Sequence, residues 1–434
     1  MQVCRETITD VRTMNIQQAA TPHLHFDRAA KALLVAAIFF VPISTALTNI
    51  FASLMLLSWL LAGGFRNRYE SIQGNWLAYS AAGLFALFCI GSTYSTSSSD
   101  DILFQLHKYA KLLIIIPAIT LLQDKGMRDR ALTAFVAAML ITLALSLISV
   151  VWPLSFVKGT SGGATGNHFV FRDHIAQSLM MSFFTLIMLI KGYHEKVLFK
   201  RIIFFSIGLL STFDILFFVL GRTGYVSLAL NFLVFFFICL SNLKERVITA
   251  LIALIIIFLT INFSDGFNSR IHKAVEELES HSTSASSSVG QRVEFVRKTF
   301  DLMREKPIMG YGTGSHQKEY CRVGQTPEWC AGHALHPHNQ FLSFGLQFGA
   351  IGILAYLMFI GACIRQSMYQ SAEFRILGMG MVATLIVDSF FHAPLFLVAE
   401  AAFFILLLPV FLAQNSSSKS SSAHHMGGAK VGNH

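Results

Sequence analysis

The chain has 434 residues, of which 54% are hydrophobic and only 13% charged. A soluble protein of this size carries about twice that charged share, so a water-soluble globule is excluded and repeated membrane spans are expected. Lys and Arg number 33 against 24 Asp and Glu, a net charge of +9; in a membrane protein that excess reports orientation, and no nucleic-acid partner is expected.

In chain order, a polar tail over 1–29 precedes about twelve apolar runs long enough to span a bilayer. They fall at 30–47, 49–64, 76–94, 105–123, 131–152, 173–191, 201–220, 223–240 and 247–263, and then at 338–362, 375–391 and 395–413. The first run follows a long polar tail and is succeeded at once by another, so no cleaved leader is expected. The spans therefore group into blocks over 30–263 and 338–413, separated by one long loop over 264–337. That loop is expected to hold an amphipathic helix at Phe267–Leu278, a Ser-rich tract at His281–Ser288 and a second helix at Gln291–Glu305, followed by a glycine-rich turn at Gly310–Gly314. The tail 414–434, rich in Ser, Gly and His, is expected to be disordered. The fold class is an all-α polytopic membrane protein.

Charge fixes the sidedness. With both tails cytoplasmic, the inward connections hold thirteen basic residues, from Arg66 to Arg375, whereas the short outward ones hold only Lys158, Arg172 and Arg222. This is the asymmetry expected of a multi-pass protein, and it puts the long loop outside. Cys321 and Cys330 share that loop, where an oxidising compartment permits a disulfide that would staple it. Cys89, Cys239 and Cys363 lie in or beside apolar spans and read as packed thiols.

Three polar features converge on the outward face. Arg222, flanked by Gly221 and Gly224, breaks the charge rule and cannot neutralise itself. It either snorkels to lipid head groups or clamps an anion, the flanking glycines then letting a ligand approach. Arg292 follows Ser288, which can cap the second loop helix; free backbone N–H groups and the guanidinium would then point the same way. His338-Asn339 stands at the mouth of the tenth span, where a side chain that titrates near neutrality can act as a general base. His333 and His336 precede it, but no nearby Cys or carboxylate completes a metal set. Lys108 and Lys111 lie on one face of the fourth span and either reach the same anion or snorkel. Arg172-Asp173-His174 opens the sixth span, with Asp173 available as its cap and Arg172, His168 and His174 near the same surface. Asp214, Asp388, His392 and Glu400 lie within or at the ends of spans, where ionisable groups are functional candidates; the sequence assigns them no role.

Together these residues resemble the O-antigen ligase family of bacterial inner membranes. The resemblance rests on His338-Asn339 with Gly349 and Gly352, on Arg222 in a short outward turn, on Ser288 to Arg292, and on Pro307-Ile308-Met309-Gly310-Tyr311-Gly312 in one long outward loop. It implies a GT-C-like glycosyltransferase that moves O-antigen polysaccharide from undecaprenyl diphosphate to a sugar hydroxyl of lipid A core, on the periplasmic face of the inner membrane. It further implies inverting transfer by single displacement, with His338 as base and Asn339, Ser288 and His174 in support. Arg222, Arg292, Lys108, Lys111 and Arg172 would hold the donor diphosphate, with no cofactor and no metal. The nearest alternative is an O-antigen polymerase, which takes a second lipid-linked glycan as acceptor. A transporter or flippase of lipid-linked glycans is the alternative of another class, and it would more often show an internal repeat and helices broken at mid-membrane.

Overall fold

A computed structural model of the chain describes residues 23–152, 154, 168–219, 221–263, 288–324, 330 and 336–413. The expected helix at Phe267–Leu278, most of the Ser-rich tract, His333, Lys158 and both tails lie outside the described residues. Among the described residues every regular element is helical. They are α1 (23–40), α2 (Thr45–Ala62), α3 (Phe65–Ile72), α4 (Trp76–Ser92), α5 (Ser99–Leu121), α6 (Lys125–Val151), α7 (His174–His194), α8 (Leu198–Phe218), α9 (Arg222–Cys239), α10 (Leu243–Phe263), α11 (Ser288–Glu305), α12 (His316–Gly324), α13 (Gln340–Met368), α14 (Ala372–Phe391) and α15 (Val398–Leu412).

The chain is a multi-pass membrane protein, but the expected count of about twelve spans is not reached. Nine of these helices are long and apolar enough to cross a membrane, or ten if α3 and α4, bent by 104° at their junction, make one span. Against the count of ten, the difference lies at the two ends of the membrane domain. The run expected at 30–47 turns at 41–44, and its helix starts earlier and takes in Asp27, Arg28 and Lys31. The run expected at 395–413 yields only the 15 residues of α15, which is too short to qualify although it is buried throughout.

Helix α7 is the hub, with 83% of its apolar window buried. Small and hydroxylated residues let its neighbours approach closely, as membrane helices require when hydrocarbon surrounds them on every side. Ser182 meets Ser227 at 2.7 Å, and Thr185 meets Ser211 at 2.8 Å. Asn231 on α9 donates to Thr384 on α14 at 3.1 Å. Two buried arginines cap helix ends. Arg128 donates from Nε to the Val410 carbonyl at 2.7 Å and from Nη2 to Phe411 at 3.0 Å, with its guanidinium 3.9 Å from the Phe374 ring. Arg128 thus owes its place to carbonyls at the end of α15 as much as to the charge rule.

Helix α13 is broken. Gly349 sits at φ 59°, ψ −146° in its interior. The backbone groups released there bond to the loop that follows α11. Ala350 N–H donates to the Pro307 carbonyl at 2.8 Å, while Tyr311 N–H and Gly312 N–H donate to the carbonyls of Leu346 and Gln347 at 3.1 and 2.7 Å. On its other side the loop reaches α4, where Thr313 N–H donates to the Gly91 carbonyl at 3.1 Å. A Cβ on Gly349 would stand 2.5 Å from the Ile308 backbone, and one on Gly310 would stand 2.5 Å from the Leu346 oxygen. The Pro307–Gly314 stretch is therefore a plug set into a helix break. Gly349→Ala should cost roughly 1–3 kcal/mol, from strain at positive φ together with the clash. Gly361→Ala, on the same helix with open space around its Cβ, should be neutral or stabilising. Thermal unfolding of the two purified variants checks the contrast, and equal melting temperatures would refute it.

Candidate active site

His338 is the one non-glycine residue with positive φ (48°) among those described. Such a conformation is uncommon outside glycine, although histidine, like asparagine and aspartate, adopts it more often than most residues, and it persists where the surroundings hold it. Three contacts hold it here. Its backbone N–H donates to His336 Nδ1 at 3.2 Å. Its ring lies 4.3 Å from that of His336 and 5.9 Å from that of Phe295 on α11. The next residue, Asn339, caps α13 by accepting from Leu342 N–H at 2.9 Å and ties the helix start to α14 by donating to the Phe390 carbonyl at 3.0 Å. Asn339 is thus the N-cap of α13.

The loop helices are fixed over this point by a small core of Phe295, Leu302, Tyr311, Tyr320 and Leu346. Thr299 meets the Tyr320 hydroxyl at 2.6 Å, and His316 Nε2 meets Ser343 Oγ on α13 at 3.1 Å. Cys321 and Cys330 are joined by a disulfide beside α12. The second loop helix starts at Ser288, three residues earlier than expected, so Ser288 lies within it; its side chain is outside the described set.

This docking puts Arg292 within electrostatic reach of Arg222. Arg222 opens α9, and Arg292 lies in the first turns of α11. Burial, and then the positive charge of Arg222, lower the pKa of Arg292. Burial, and then the charges of Arg292 and His392, pull His338 from 6.5 down to about 4. The imidazole is therefore neutral at pH 7, within reach of the Arg292 charge. The glycines beside Arg222 serve another purpose than the one expected. A Cβ on Gly221 would lie 2.3 Å, and one on Gly224 2.4 Å, from Ser178 Oγ on α7. That space holds α7 and is closed to a ligand.

The remaining candidates divide. Lys108 Nζ lies 5.0 Å from the Phe396 ring, which itself stands 5.1 Å from His336, so Lys108 belongs to the same cluster. Lys111 is half-buried at a tight 3-10 turn of α5. Arg172 is buried, and its Nε donates to the Val41 carbonyl after α1 at 3.1 Å. Burial holds its pKa at about 10, against the charges of Glu400 and Asp173. This bond anchors Arg172 to the chain end of α1. Asp173 caps α7 through Ile175 and Ala176 N–H, both at 3.0 Å, and half-buried His174 is the first residue of that helix. His392 Nδ1 pairs with Asp388 at 2.9 Å, and Glu400 acts on the same ring. Asp214 is bonded to Ser146 at 2.6 Å. Sequence reading missed His316 and the aromatic walls Phe295 and Phe396. Their spacing carries no signal, because packing alone brings them to the histidines.

Among the described residues no group of three or more His, Cys, Asp or Glu is arranged to hold a metal ion. No curated protein matches the chain. Residues 207–357 match the O-antigen ligase family model. The matched segment runs from the middle of α8 to the middle of α13 and contains Arg222, Arg292, the plug, His338 and Gly349, while Lys108, Lys111, Arg172 and His174 precede it. This segment is therefore similar to the O-antigen ligase family, whose members are glycosyltransferase-like enzymes acting on lipid-linked glycans.

Proposed function

We propose that the protein is an O-antigen ligase of the bacterial inner membrane, GT-C-like in organisation, with its active site on the periplasmic face. It transfers O-antigen polysaccharide from undecaprenyl diphosphate to a sugar hydroxyl of lipid A core. The observation that carries this reading is that Arg292, on the loop helix, lies within electrostatic reach of both Arg222 and a neutral His338. A diphosphate leaving group needs charge stabilisation more than an acid, and guanidinium forks can supply it. The acceptor hydroxyl is a poor nucleophile, and a neutral imidazole can take its proton as the sugar–phosphate bond breaks. Inversion at the anomeric carbon follows from a single displacement. Lys108, beside His336, adds positive charge on the donor side, and Lys111 stands one turn further along α5. Asn339 holds the helix start in place. Sequence features favour the ligase over a polymerase. The chain has one long outward loop where polymerases usually have two, and it has the His-Asn pair.

Purified protein supplied with undecaprenyl-diphosphate glycan and lipid A core should form the conjugate; formation of longer lipid-linked glycan alone would indicate the polymerase. His338→Ala should lower the rate by about 10²–10⁴ and leave a folded membrane protein, whereas wild-type turnover would remove His338 from the mechanism. His336→Ala should be milder.

The lowered pKa gives a pH prediction. A base must be unprotonated, and His338 stays so until the pH falls to about 4. The kcat/KM of the free enzyme should therefore hold from neutrality well into mild acid and decline only as the pH approaches that value. A limb centred near 6.5 would contradict the buried, arginine-flanked environment.

Arg222→Lys and Arg292→Lys should each weaken donor binding, since lysine keeps the charge and loses the planar fork. Their effects should be non-additive if both hold one diphosphate. Single-turnover ligation of the two single variants and the double variant tests this, and unchanged affinity in both singles would reduce the arginines to head-group anchors. Ligation should also persist in EDTA, whereas inhibition reversed by magnesium would revive a metal-bound diphosphate.

A further inference from the structure

A cavity of about 730 Å3 lies among α7, α8, α9 and α10, at the end of the bundle opposite His338. Its wall is mostly apolar, with Phe205, Leu209, Phe232 and Ile252 facing Gly192 and Gly208. The volume falls within the roughly 300–1,000 Å3 typical of ligand pockets. Along α10 the lining runs from Glu245 to Ile256, about 16 Å of helix. One leaflet of hydrocarbon is about 15 Å deep, so the cavity has the depth of a single leaflet and stops near mid-membrane. Its mouth is polar, with Arg201, Glu245 and Tyr193. Arg201 is anchored by donating from Nε and Nη2 to the Glu195 carbonyl at 3.0 and 2.8 Å. Glu245 accepts from the Tyr193 hydroxyl at 3.3 Å. Meanwhile α10 is barely packed on the bundle, with only 6% of its apolar window buried.

We infer that this cavity binds a zwitterionic glycerophospholipid, with one acyl chain among α7–α10, its phosphate at Arg201 and its ammonium at Glu245. The depth of one leaflet and the opposite charges at the mouth favour this occupant over the isoprenoid tail of a donor held at Arg222. Such a tail would enter from the other end and need no carboxylate. The bound lipid completes the packing of α10, the helix that leads into the long loop carrying Arg292. Ligand bound to the folded state alone raises its stability by mass action.

The test uses the full chain, stripped of lipid in detergent and titrated with phosphatidylethanolamine, phosphatidylglycerol or undecaprenyl phosphate. Melting temperature and native mass spectrometry are the readouts. Phosphatidylethanolamine should raise the melting temperature by several degrees and leave a one-to-one adduct. Gly208→Leu should abolish both effects, since a Cβ there meets Met188 and Leu189 at ordinary distances of 3.5 and 3.6 Å and the rest of the side chain occupies the cavity. Glu245→Gln should remove the preference for phosphatidylethanolamine over phosphatidylglycerol, and Arg201→Gln should weaken both. Full lipid stabilisation of Gly208→Leu, or displacement of the phospholipid by undecaprenyl phosphate, would overturn the assignment. Should Gly208→Leu fail to fold, the two rim variants decide it, and unchanged affinity and selectivity in both would also overturn it.

Discussion

The break at Gly349 is the constraint on which the His338 end of the molecule depends. A membrane-spanning helix cannot leave backbone N–H and C=O groups unpaired in hydrocarbon. Breaking α13 at positive φ releases several of them, and the Pro307–Gly314 plug takes them up in backbone bonds. The plug is continuous with α11 before it and α12 after it, so one set of bonds fixes both loop helices over the start of α13. Glycine is required on both sides of the contact because backbone meets backbone at distances no Cβ would allow.

Once α11 is fixed, electrostatics follow from placement. Arg292 is carried to Arg222, and like charges are held in proximity at the cost of burial. His338 stays neutral for two reasons, burial and the positive charge of Arg292. The opposite end of the bundle is built differently. There Arg128 spends its donors on the carbonyls of α15, and a cavity separates α10 from the helices around α7.

The membrane class was legible because apolar length is a one-dimensional signature. Apolar length marks spans, charge asymmetry marks sides, and an arginine on the wrong side stands out. The count of spans was less legible. Burial inside a bundle lets α15 be short, and a turn at 41–44 redistributes the first apolar run between two helices. The glycines around Arg222 show a further limit. Local sequence cannot distinguish room left for a ligand from room taken by a neighbouring helix, and here Ser178 on α7 fills it.

What the sequence by itself determined was which side chains are chemically unusual for their place along the chain: Arg222, Arg292, the histidines before α13, and the glycines of the plug. What only the tertiary structure decided was which of them meet. Arg172 and Arg222 look alike as outward arginines, yet one bonds the Val41 carbonyl and the other lies within electrostatic reach of Arg292. His316 had no signature, yet it bonds α13 at Ser343. The physical reason is that side-chain chemistry is encoded residue by residue, whereas proximity across hundreds of residues depends on where α13 breaks and what fills the break.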